Sequence, residues 1–119
     1  MNLLSRSRLL ALFLLSAILL LADGPGFRSR AQFEEHYAKH GREFGNISQQ
    51  EYLRLAQALR DTPMGGPILE ADKPDGVITK FDRRSGAFGA YNADRTIRTF
   101  FIPNEGERYF HRQGRRPNE

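Results

Sequence analysis

Apolar positions follow three rhythms in turn along this 119-residue chain. Residues 9–22 are apolar apart from Ser16, and Arg6 and Arg8 precede them. Such a run behind a basic start has the length of an export signal's apolar core. It falls short of the roughly 20 residues that a comfortable membrane span requires. Two readings stay open: a signal peptide over residues 1–22, cleaved after the small residue Ala22, or a retained N-terminal membrane anchor. Residues 23–28, with Gly24, Pro25 and Gly26, read as a linker.

From residue 29 the spacing turns helical. Phe33, Tyr37 and Phe44 recur near a 3.6-residue period and predict a helix over about 29–42, with Gly41 and Gly45 at its end. Ser48 and Glu51 stand at capping-box spacing ahead of an apolar stripe, Tyr52, Leu55, Ala56 and Leu59, which predicts a second helix to about residue 61. The Pro- and Gly-rich stretch 62–67 stops it. Beyond residue 76 the pattern alternates, and 77–81, 87–91 and 97–102 read as strands rich in β-branched and aromatic residues. The links at 82–86 and 92–95 are short and turn-like, which favours an antiparallel meander. Residues 109–111 fit a fourth, edge strand, and 113–119 a flexible tail. Ile97, Thr99 and Phe101 alternate with Arg98, Phe100 and Ile102, so the last strand is apolar on both faces. That suits a central strand packed on two sides, or one beside a cleft. The expected architecture is α+β: two N-terminal helices followed by a three- or four-stranded antiparallel sheet, in one domain over residues 29–112.

Composition narrows the class. The chain has no Cys, so it is neither a disulfide scaffold nor a substrate for thiol lipidation. Its formal net charge is +4, unevenly spread: residues 23–76 carry nine acids and seven bases, whereas 77–118 carry four acids and nine bases. A moderate basic surplus of this kind permits a polyanionic partner without requiring one.

The densest candidate chemistry is His36-Tyr37-Ala38-Lys39-His40. On a helix, His36 and His40 stand one turn apart on one face, with Lys39 close by. Cleavage of a phosphodiester by a ribose 2′-hydroxyl needs a base for the hydroxyl, an acid for the leaving oxygen and a cation for the phosphoryl oxygens. Imidazole titrates near neutrality and can serve as acid or base, and a fixed Lys supplies the electrostatics. The same spacing also suits a solvated helix surface with His40 near its C-terminus. A third reading is a zinc site completed by Glu43 or His111, although the Glu of the zinc-protease motif is replaced by Tyr37. In the strands, Lys80, Arg98 and Thr99 are polar candidates, with sheet propensity and edge protection as their structural alternatives. Tyr91, Phe100 and Tyr109 are of a type that stacks on bases, but aromatic residues in a small sheet are more often core.

The stretch Lys39-His40-Gly41-Arg42-Glu43-Phe44-Gly45, followed by a capped helix and a meander, resembles toxin ribonucleases of the barnase–EndoU–colicin–RelE type. The closest branches are the colicin D-like tRNA nucleases and the related domains of phage and polymorphic toxins. The resemblance runs over about residues 33–109. It implies a metal-independent endoribonuclease with no cofactor, which acts on RNA, tRNA included, and leaves a cyclic phosphate. It implies His40 as principal acid/base, Lys39 as phosphate-stabilising cation and His36 as a second acid/base or positioning group. Lys80, Arg98 and Thr99 would then be the sheet's contribution. A monomer, a cognate immunity protein as partner, and a secreted or periplasmic location after signal cleavage complete the expectation. Such domains usually end a long delivery protein, whereas here the stretch directly follows the export signal, which suits a freestanding secreted ribonuclease. The competing reading is a non-catalytic exported or membrane-anchored binding module.

Overall fold

A computed structural model of the chain describes residues 24–115, so the expected signal or anchor over 1–22 lies outside the described residues. Among the described residues, no helix is long and apolar enough to cross a membrane.

The order of elements is α1 (Arg30–His40), a 3-10 turn (Gly41–Phe44), α2 (Gln49–Asp61), β1 (Ile68–Asp72), β2 (Ile78–Asp82), β3 (Phe88–Tyr91), β4 (Ile97–Phe101) and α3 (Glu107–Arg115). The chain is thus α+β, with a four-stranded antiparallel sheet in the order β1-β2-β3-β4. Ser29 caps α1 by accepting from the Gln32 amide at 3.1 Å. Ser48 caps α2 in the same way through the Glu51 amide at 3.1 Å. The capping box is only half made, because the Glu51 carboxylate turns to Arg54 instead, at 2.6 Å.

Side chains pack on both faces of the sheet. On one face α2 lays Tyr52, Ala56 and Leu59 against Tyr91, Ile97 and Phe100, and α1 adds Phe33 and Tyr37 at the margin. Tyr52 is fully buried, its hydroxyl donates to the Phe100 carbonyl at 2.5 Å, and its ring meets those of Tyr37, Phe44 and Phe100. On the other face Phe110 of α3 packs with Phe81, Phe88 and Ala90. Gly89 sits mid-strand for a packing reason. A Cβ there would lie 2.3 Å from the Tyr91 hydroxyl, which crosses it to donate to the Ala56 carbonyl of α2 at 2.7 Å.

Three sequence expectations are corrected. Residues 109–111 form part of α3 rather than a strand: after Gly106, whose φ of 58° turns the chain, the helix lays Phe110 on Phe81 and Tyr109 against Phe88 and Phe101. The fourth strand is instead β1, which pairs with β2 from Ile68↔Asp82 to Asp72↔Ile78. The last strand, β4, lies at the edge of the sheet and is not central; of the two alternatives it is the strand beside a cleft. A register shift opposite Ala90 and Tyr91 breaks its alternation, so Ile97 and Phe100 share the α1/α2 face while Phe101 turns to the other.

The Gly- and Pro-containing stretch before α1 is tied to the domain. The Ile97 amide donates to the Gly26 carbonyl at 2.9 Å, and Phe27 bridges to Ile97 in parallel. Gln57 donates to the Gly24 carbonyl at 3.1 Å, and the buried Arg60 donates to the Pro25 carbonyl. This strap covers part of the β4 edge and brings the Phe27 ring over α1.

Candidate active site

Half-buried positions on α1 recur at Phe33, His36, Tyr37 and His40, one face of a helix. Phe33 and Tyr37 pack into the core, so the two histidines are carried inward beside them, to the seam between α1 and β4. Their ring centroids lie 6.1 Å apart. The His36 ring stacks on Phe27 of the strap at 5.0 Å, and the His40 ring on Phe101 of β4 at 5.0 Å. Between helix and strand lies an open pocket of about 310 Å³, lined by Glu35, His36, Lys39, His40, Thr99 and Phe101. A larger hollow of about 570 Å³ on α1 and the following turn offers only Arg42 and the Tyr37 hydroxyl as ionisable groups. That hydroxyl already donates to the Ile47 carbonyl at 2.5 Å.

The turn after α1 completes the pocket. Gly41 is buried, and a Cβ there would lie 2.8 Å from the Tyr37 ring, so this position has no room for a side chain. The 3-10 turn that follows folds Glu43 back toward the helix end. Its carboxylate meets His40 Nδ1 at 2.7 Å through Oε2 and accepts the Ile102 amide at 2.8 Å through Oε1. One side chain therefore links the histidine to the exit of β4.

Burial holds the His36 pKa below its ordinary 6.5, and the neighbouring His40 and Lys39 add to that against the opposing pull of Glu35. At neutral pH His36 is therefore an uncharged imidazole. Its Nδ1 is buried without a hydrogen-bond partner, which fits a ring held by packing. Shortening Phe27 to Ala removes the aromatic cover from this ring. The expected result in Phe27→Ala is a His36 midpoint raised toward 6.5, read by NMR titration of the free protein. An unmoved midpoint would show that the strap does not set its environment.

Of the expected site residues, His36, Lys39, His40 and Thr99 meet in one pocket. Lys80 does not join them. Its ammonium is buried beneath the C-terminal end of α2, where it donates to the Arg60 carbonyl at 2.9 Å and to the Thr62 carbonyl, with the Glu70 carboxylate at 3.3 Å. Nor does it guard an edge, since β2 lies between β1 and β3. Arg98 is exposed and its Nε donates to Asn92 Oδ1 at 2.8 Å, so it is held toward the β3–β4 turn. Tyr91 and Phe100 are fully buried core residues, unable to stack on a base, and Tyr109 is packed under Phe101 and Phe88. The zinc alternative loses its candidate third ligands: Glu43 is engaged as described, and His111 lies on α3, paired with Glu107 at 2.9 Å. No group of three or more His, Asp or Glu side chains placed to hold a metal ion occurs among the described residues.

Phe101 and Phe27 were not singled out in the sequence as site residues. Phe101 was within reach, being two positions along the strand from Thr99 and hence on its side. Phe27 had no local signal, because its role depends on where the strap docks. No protein-family profile matches the chain, and no curated protein matches it.

Proposed function

We propose that the chain is a metal-independent endoribonuclease that cleaves by attack of the ribose 2′-hydroxyl and leaves a cyclic phosphate. The observation that carries this reading is the convergence of two imidazoles, an ammonium and a hydroxyl, from His36, His40, Lys39 and Thr99, in one open pocket. Rings 6.1 Å apart can both reach a single phosphodiester, one at the attacking and one at the leaving oxygen. Burial and the neighbouring His40 hold His36 toward its uncharged form, the form in which an imidazole can accept a proton. Lys39 supplies positive charge where the phosphoryl oxygens gain negative charge, and Thr99 Oγ1 offers a neutral donor from the strand side. The open pocket admits a polymer and has no enclosed chamber for a small substrate.

The test is incubation of the purified chain with total RNA, with and without EDTA, and with an oligonucleotide bearing a single 2′-deoxyribose at the mapped cleavage site. The expected outcome is chelator-resistant cleavage, a 2′,3′-cyclic phosphate end and no cut at the deoxy position. Cleavage of the deoxy substrate would exclude internal attack. Salt-sensitive RNA retention without turnover would favour the non-catalytic binding module instead.

A further inference from the structure

We propose that Glu43 is a positioning residue that holds the proton of His40 on Nδ1 and so confines proton exchange at this ring to Nε2. The inference rests on the ribonuclease reading for its catalytic consequence, though its geometric part stands without it. A carboxylate oxygen accepts, so the 2.7 Å contact between Glu43 Oε2 and His40 Nδ1 places a proton on that nitrogen. The second oxygen is occupied by the Ile102 amide at 2.8 Å, which fixes the plane of the carboxylate against the end of β4. The ring itself is stacked on Phe101 at 5.0 Å, two residues from Thr99. Glu43 therefore sets three things at once: the tautomer of His40, the orientation of its ring, and the spacing between the end of α1 and the strand that carries Thr99.

The proton balance is simple. When Nε2 takes a proton from a ribose hydroxyl, the ring becomes an imidazolium with Nδ1–H still donating to Glu43. When Nε2 gives a proton to a leaving oxygen, the ring returns to the neutral Nδ1–H tautomer. The carboxylate accepts throughout and never becomes protonated, the arrangement by which a carboxylate orients a catalytic imidazole.

Glu43→Gln is the informative substitution. Its amide oxygen can still accept the Ile102 amide, which preserves the link to β4, while its NH₂ then faces His40 Nδ1. A donor there favours the opposite tautomer, with the proton on Nε2. The experiment is long-range ¹H–¹⁵N NMR of the histidine rings in the ¹⁵N-labelled full chain, without RNA, beside steady-state RNA cleavage by the same samples. Neutral His40 is expected as the Nδ1–H tautomer in the natural protein and as the Nε2–H tautomer in the variant. The expected kinetic result is a fall in kcat of about 10-fold or more with KM changed less than about 3-fold. An Nε2–H tautomer in the natural protein overturns the proposal even if every Glu43 variant fails to fold. Equal kcat in a folded Glu43→Gln protein overturns its catalytic part. A natural protein that shows the Nδ1–H tautomer but cleaves no RNA upholds the Glu43–His40 assignment and removes the ribonuclease reading.

Discussion

His40→Ala is expected to lower kcat for RNA cleavage by about 10²–10⁴-fold, the range that a positioned general acid or base contributes. On the proposed mechanism the loss should fall on kcat more than on KM, because the imidazole would act on protons in flight while Lys39 and Thr99, which line the same pocket, would still hold the phosphate. Structure should survive, since the His40 ring lies at the pocket seam and not within either of the two buried clusters. His36→Ala should cost a similar factor, and the double variant little more than either alone, as for groups that work as a unit. Persistence of full activity in folded His40→Ala would remove His40 from the chemistry. The pH profile carries a related expectation: because His36 titrates below 6.5, the acid limb of kcat/KM should lie below 6.5 if His36 is the base.

Lys80→Met tests the other large effect, which is on stability. The ammonium satisfies the carbonyls of Arg60 and Thr62 at the end of α2, where helix carbonyls have no intrahelical partner, and it faces Glu70. Met keeps the length of the stem but leaves these acceptors unpartnered in a buried place. The expected cost is about 2–4 kcal/mol, a large share of the stability of a small domain. A lowered urea midpoint, with RNA cleavage per folded molecule unchanged, is the predicted pair of results. Unchanged stability with a large fall in kcat would return Lys80 to the site.

Much of the scaffold is legible in residue order because it depends on local periodicity. The spacing of Phe33, Tyr37 and of Tyr52, Leu55, Ala56, Leu59 places two helices, and Ser48 marks where the second begins. The runs of β-branched and aromatic residues at 77–81, 87–91 and 97–102 place three strands, and the short turns between them make them antiparallel. The pairing of His36 with His40 is legible for the same reason: four residues on a helix return to one face. Ile68–Asp72 is different. It carries two acids in five residues, and it becomes a strand by pairing with β2. Tyr109 and Phe110 are adjacent, a pattern that suits strand and helix alike, and the choice goes to the form that buries both on Phe81, Phe88 and Phe101.

By itself, then, the sequence determined the α+β class, the two leading helices and the histidine pair, all consequences of contacts within a few residues. Tertiary structure decided which polar groups join that pair. Thr99 does so because β4 is an edge strand and α1 runs beside it, whereas Lys80 is drawn under α2 by carbonyls some 20 residues earlier in the chain. Glu43 meets Ile102 across 59 positions, and Phe27 covers His36 only because the strap hydrogen-bonds to β4. Contacts of that separation leave no period in the sequence, since they form only once the sheet and helices have brought distant backbone together.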